Sequence, residues 1–80
     1  MIEVHELQVF LVAAEDENFS ATARKLHLSQ PAIRFQIQGL EQRLKVQLFQ
    51  RMSKRIALTE AGRDLLPMAR EMVNLSSRIE

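Results

Sequence analysis

Residues Phe19–Leu44 read FSATARKLHLSQPAIRFQIQGLEQRL. Two short segments with helix-start chemistry meet at a few turn residues, which predicts a helix-turn-helix. Ser20 is a good N-cap for a helix over Ala21–Leu26, and His27-Leu28 makes the turn. Ser29 is the next N-cap. Pro31 follows in the first turn, where a missing N–H costs no intrahelical bond. The second helix of the pair then runs from Gln30 to about Lys45. Ile33, Ile37, Leu40 and Leu44 recur at helical spacing and form its core stripe.

Upstream, Val4, Leu7, Phe10, Leu11 and Ala14 share one helical face, so a first helix is expected over Val4–Asp16, ended by Glu17-Asn18. Downstream the pattern changes. Leu48-Phe49 and Ile56-Ala57-Leu58 flank Gln50-Arg51-Met52-Ser53-Lys54-Arg55, which predicts a two-stranded hairpin with a basic tip at 50–55. Thr59 then N-caps a last helix, with Glu60 at the positive end of its dipole. Leu65, Ala69, Met72, Ser76 and Ile79 follow a heptad-like spacing, widened by Leu66 and Val73. Pro67 lies inside this helix and should bend it. The expected core is Val4, Leu7, Phe10, Leu26, Ile33, Ile37, Leu40, Phe49 and Leu58. The chain divides into a compact domain at 1–58 and a linker helix at 59–80.

Eighty residues make one small domain; a chain of this size buries only about 60% of its unfolded surface, so a partner would add stability. There is no cysteine, which excludes disulfides and Cys-based zinc sites. His5 and His27 stand far apart and suggest no metal. No nucleophile–base pair, paired carboxylates or phosphate loop marks an enzyme. With no apolar run near the ~20 residues of a membrane span, and an acidic N-terminus, MIEVHEL, unlike a signal peptide, the chain is expected to be cytoplasmic. Glu80 falls inside a helical pattern without a stop, as in the front piece of a longer protein.

The net charge of +1 conceals a partition. Residues 1–23 carry Glu3, Glu6, Glu15, Asp16 and Glu17 and no Lys or Arg. Residues 24–63 carry Arg24, Lys25, Arg34, Arg43, Lys45, Arg51, Lys54, Arg55 and Arg63 against Glu41 and Glu60. A basic middle between acidic ends fits a polyanion on one face. Opposite the core stripe of helix 30–45 lie Pro31, Arg34, Phe35, Gln38, Gln42 and Lys45. A merely solvated face would be rich in Glu and Lys. Here there are amides, a proline, a ring and cations, the side chains that read base edges and thymine methyls in a major groove. Phe35 is the sharpest of them; its alternative is packing on a loop or on the first helix.

The runs FSATARKLHLSQPAI, LEQRLKVQLFQR and LTEAG, in this order and spacing, resemble the N-terminal domain of LysR-type transcriptional regulators across essentially all 80 residues. The resemblance implies a mainly α fold: a winged helix-turn-helix, three helices plus a two-stranded wing, followed by a long linker helix that pairs in a homodimer. It also implies bacterial transcription regulation and a C-terminal domain, outside this chain, that takes a small-molecule effector; no cofactor is implied for 1–80. Double-stranded DNA with an interrupted inverted repeat is the expected partner, with RNA polymerase a further candidate. In the family the start of the recognition helix meets bases and the wing meets backbone or minor groove, which carries to Gln30, Pro31 and the wing cations. The candidate DNA contacts are therefore Ser29, Gln30, Pro31, Arg34, Phe35 and Gln38 with Arg51, Ser53, Lys54 and Arg55. The candidate dimer seam is Leu65, Ala69, Met72, Val73, Ser76 and Ile79. The chain departs from the family where Ser or Thr is usual at Arg34, Arg at Phe35 and Gly at Lys45, and its wing tip lacks Gly. The rival from another class is a helical protein-interaction module whose basic patch is incidental.

Overall fold

A computed structural model describes residues 1–80. The element order is α1 (Val4–Asp16), α2 (Phe19–Leu26), α3 (Gln30–Leu44), β1 (Phe49–Arg51), β2 (Ile56–Leu58) and α4 (Glu60–Ile79). It is mainly helical, a winged helix-turn-helix with a long C-terminal helix, as the sequence implies.

Helix α1 enters the core with Leu7, Val9, Phe10 and Ala13, all buried. Helix α3 meets it with Ile33, Ile37 and Leu40. Ala23 of α2, Leu48, Phe49, Ile56 and Ala69 of α4 complete one cluster. Of the expected core, Leu26 and Leu58 pack on its margin. Val4 is only half-buried, because the start of α1 lies beside Met72, Leu75 and Ile79 rather than over the cluster.

An ion pair between buried Glu6 and exposed Arg43 joins α3 to α1. Arg43 lies 2.7 Å from Glu6 Oε2, and Glu6 Oε1 accepts from the Glu3 N–H at 3.2 Å. One carboxylate thus caps its own helix and holds another. Gly39 keeps the two helices close, since a Cβ there would come within 3.0 Å of both Glu6 and Arg43.

Three helices end on residues in the left-handed region without using glycine: Glu17 (φ 56), His27 (φ 57) and Lys45 (φ 59). Each conformation costs roughly 1–2 kcal/mol for a residue with a Cβ. Lys45 therefore ends α3 as a glycine would, donating its N–H to Glu41. Ser20 is not the cap of α2. Asn18 is, accepting from the Ala21 N–H at 2.9 Å, and the helix begins at Phe19. Both residues are good caps by type; the extended backbone falls at Asn18, directly after the turn at Glu17.

Helix α2 is seated on α1 through Asp16, whose side chain is only 7% exposed. Lys25 donates to Asp16 at 2.5 Å, and the hydroxyl of fully buried Thr22 lies 2.9 Å from the other carboxylate oxygen. The Lys25 ammonium holds the Asp16 carboxyl below the ordinary carboxylate range, aided by the Thr22 hydroxyl and opposed by burial. In return Asp16 raises the Lys25 pKa.

The hairpin is antiparallel, with Phe49 opposite Leu58, Gln50 opposite Ala57 and Arg51 opposite Ile56. The Met52 N–H donates to the Arg55 carbonyl at 2.8 Å and closes the tip. Helix α4 is docked at its N-terminus. Thr59 donates its backbone N–H to Leu48 and its hydroxyl to Gln47, and it accepts from the Gly62 N–H. Helix α4 runs unbroken through Pro67, which is exposed.

Two outcomes follow from these contacts. A Cβ on Gly62 would lie 2.3 Å from the Leu48 carbonyl oxygen, which cannot yield as a flexible side chain would. Gly62→Ala should therefore cost about 1–3 kcal/mol, measured as a lower urea midpoint; an unchanged midpoint would refute this docking. Because the Asp16 pKa is lower folded than unfolded, its contribution is full above the unfolded value of about 3.9 and disappears as pH falls through the folded value. The stability difference between the wild type and Asp16→Asn should shrink on acidification through this window. A pH-independent difference would contradict the pairing.

Candidate nucleic-acid interface

The outward side of α3 carries Pro31, Phe35, Gln38 and Gln42, all exposed, with Lys45 at its end. Phe35 is 74% exposed. Neither a loop nor α1 covers it, so the packing alternative does not hold. The one carboxylate near this face is half-buried Glu41, which borders Gln38, Gln42 and Lys45. Glu41, the one acid on α3, is turned toward the hairpin, where its Oε2 accepts from the N–H groups of Leu48 at 2.8 Å and Phe49 at 3.4 Å. That contact serves the orphan amides leading into β1.

Arg34 lies on the flank of α3 toward the wing rather than at the centre of the outward face. Its guanidinium carbon sits 5.2 Å from the centroid of the Phe19 ring, a cation–π arrangement. Phe19 meets Phe49 edge-on at 5.7 Å, and Phe49 meets Phe10 at 5.6 Å. The exposed cation is thus seated on an aromatic file that runs into the core. At the start of α3, Ser29 accepts from the Ala32 N–H, and the Gln30 amide donates to the Ser20 hydroxyl, tying α3 to α2.

Between these helices and the hairpin lies a polar cleft of about 250 Å³. Glu17, Asn18, Phe19, Ser20, Gln30 and Arg34 line one side, and Arg51, Lys54 and Arg55 the other. The wing cations are not equivalent. Arg55 pairs with Glu17 at 2.9 Å, both side chains half exposed. Arg51 and Lys54 are exposed and make no ion pair, and Ser53 is exposed between them and Arg55. The structure therefore gathers the candidate contacts on one side of the molecule, with Arg55 partly neutralised by Glu17 at the edge of the cleft. Neither that pair, whose members are 38 residues apart, nor the seating of Arg34 on Phe19 leaves a periodic signal in the sequence.

On α4 the candidate seam divides. Ala69 is 1% exposed and belongs to the chain's own core, so it has no surface left for a partner. Leu65 and Val73 are half-buried on that core, and Ser76 is half-buried. The correction has a steric cause: the small Ala69 side chain lets α4 lie close to the core, and its stripe turns inward. Met72 and Ile79 remain exposed and are joined by Met68 and Leu75. These four, at spacings of four, three and four, form a second apolar stripe one residue out of phase with Leu65 and Ala69. No His, Cys, Asp or Glu cluster is arranged to hold a metal, and no helix is long and apolar enough to cross a membrane.

Residues 4–63 match the model for bacterial regulatory helix-turn-helix proteins of the LysR family. An uncharacterised transcriptional regulator from the ibpB-leuC intergenic region of Azotobacter vinelandii is 42% identical over 74 residues, 92% of this chain and 51% of its own length. The regulator TfdS of Cupriavidus pinatubonensis is 46% identical over 74 residues, again 92% of this chain but 25% of its own length. The chain thus spans between a quarter and a half of these relatives. The DNA-binding domain of CbnR, solved as a DNA complex, superposes with a TM-score of 0.90 at 42% identity over 95% of this chain and 87% of that one. Oxidized OxyR of Corynebacterium glutamicum gives a TM-score of 0.94 at 32% identity, covering 99% of this chain and 26% of that one.

Proposed function

The chain belongs to the LysR family of bacterial helix-turn-helix transcriptional regulators, and from that premise we propose that it binds double-stranded DNA sequence-specifically as a homodimer. Two copies of α3 enter successive major grooves of an interrupted inverted repeat. The wing reaches backbone or minor groove on each flank. Residues 1–58 supply the contacts and residues 59–80 the link between copies, although the first half of α4 is also packed into the core.

The observation that carries this reading is the exposed Pro31, Phe35, Gln38 and Gln42 face of α3 beside Arg34, Arg51 and Lys54, none of which makes an ion pair. Groove contacts require side chains that are exposed and not already neutralised. Phosphate contacts by the wing would fix position and affinity without reading sequence. The likeness to a DNA-bound CbnR domain supports the same placement.

Pairing of two copies is assigned to the exposed stripe Met68, Met72, Leu75 and Ile79, with Leu65, Val73 and Ser76 on its margins. A repeated apolar stripe on a solvated helix is the pattern two helices bury against each other. In this reading the register of that pairing would set the separation of the two copies of α3, and with it the half-site spacing.

Two measurements test the reading. Lys54→Ala should weaken binding on any duplex and reduce the log–log salt slope by about one; an unchanged slope would remove the wing from the interface, and salt-indifferent protein binding would favour the interaction module. Met72→Asp should shift the chain toward monomer in sedimentation equilibrium, since it puts a charge into the stripe. An unchanged distribution would place the dimer contact elsewhere.

A further inference from the structure

Phe35 has no structural employment. It is 74% exposed and makes no aromatic contact within the chain, unlike the other three phenylalanines. Pro31, one turn earlier on the same face, is also exposed and widens the apolar spot. Gln38, nearly one turn later, is exposed beside it. A benzyl group offers no hydrogen bond and no charge. Against DNA it can gain only by covering apolar surface, and in the major groove that surface is the C5-methyl of thymine. Arg34 cannot compete for the same position, because its guanidinium is held on Phe19 at the flank.

We infer that Phe35 is a specificity-determining residue that reads a thymine methyl in each half-site. The inference rests on the DNA-binding reading above and adds the base and the atom recognised. The charge of the surroundings supports DNA over a second copy of the chain as occupant. Phe35 lies on the side of the molecule where Arg34, Lys45, Arg51 and Lys54 outnumber half-buried Glu41 and the Arg55-bound Glu17, so two like copies would repel one another there. A thymine also presents adenine on the opposite strand, whose N6 and N7 a glutamine can bind bidentately. Gln38 is placed for that edge, so methyl and adenine can be read together by neighbours on one face.

The test uses duplexes enriched by the chain from a random synthetic pool, resynthesised with deoxyuridine for thymidine at one position at a time. Uracil keeps every hydrogen bond and lacks only the methyl. At one position per half-site the substitution should weaken the wild type by roughly fourfold, the worth of one buried methyl-sized group. Phe35→Ala should bind thymine and uracil duplexes equally, and Phe35→Leu should retain part of the preference. Since Phe35 supports nothing in the core, both variants should unfold at the wild-type urea midpoint, and their sedimentation should match the wild type. A thymine-to-uracil ratio that Phe35→Ala leaves intact, or the absence of any uracil-sensitive position, overturns the inference while leaving DNA binding in place. A Phe35→Ala chain that sediments as a smaller species assigns the ring to a protein contact and also overturns it. If no duplex is enriched, the DNA-binding reading itself fails.

Discussion

The file of rings Phe10–Phe49–Phe19 is the contact on which the interface depends. A hairpin of two three-residue strands is not stable alone. Here Phe49 and Ile56 are sunk into the helical core, the Leu48 and Phe49 amides donate to Glu41 of α3, and the Ile56 N–H donates to the Glu17 carbonyl. Phe49 thereby touches α1 through Phe10 and the start of α2 through Phe19. Wing and recognition helix are held in one relation by the core, not by the hairpin's own turn. Arg34, resting on the outer ring of the file, inherits that rigidity.

Charge is organised by the same economy. The acidic residues of α1 and its end are mostly directed inward or sideways: Glu6 to Arg43, Asp16 to Lys25, Glu17 to Arg55. These pairs sort the basic middle of the chain into cations that hold the fold and cations that stay unpaired. Arg34, Arg51 and Lys54 are among the latter, and they border one cleft. The segmental charge partition read from the sequence is therefore physically meaningful, but its count overstates the charge free to meet a polyanion.

Much of the architecture was legible because periodicity and caps agree. Ser29, Pro31 and the stripe Ile33–Ile37–Leu40 define α3 without ambiguity, and Thr59 with Glu60 defines the start of α4. What was not legible depends on tertiary packing. Helix ends at Glu17, His27 and Lys45 lack the glycine that would announce them. Two caps of equal quality, Asn18 and Ser20, compete for α2, and the turn before them decides. On α4, two adjacent heptad-like stripes are equally apolar in sequence. The small side chain of Ala69 selects the inward one, so the exposed stripe became visible only when the helix was packed. Arg55 reads as a free wing cation until Glu17 is brought beside it by the fold.

In the proposed function the outward face of α3, presented twice at a fixed separation, determines recognition. Selection of bound duplexes from a random pool tests this most directly. The predicted result is an inverted repeat of two half-sites whose centres lie one helical turn, about 10–10.5 base pairs, or a multiple of it apart, bound about a thousandfold or more tighter than unrelated DNA. Enrichment of no sequence, or of single asymmetric sites with no fixed spacing, would contradict it.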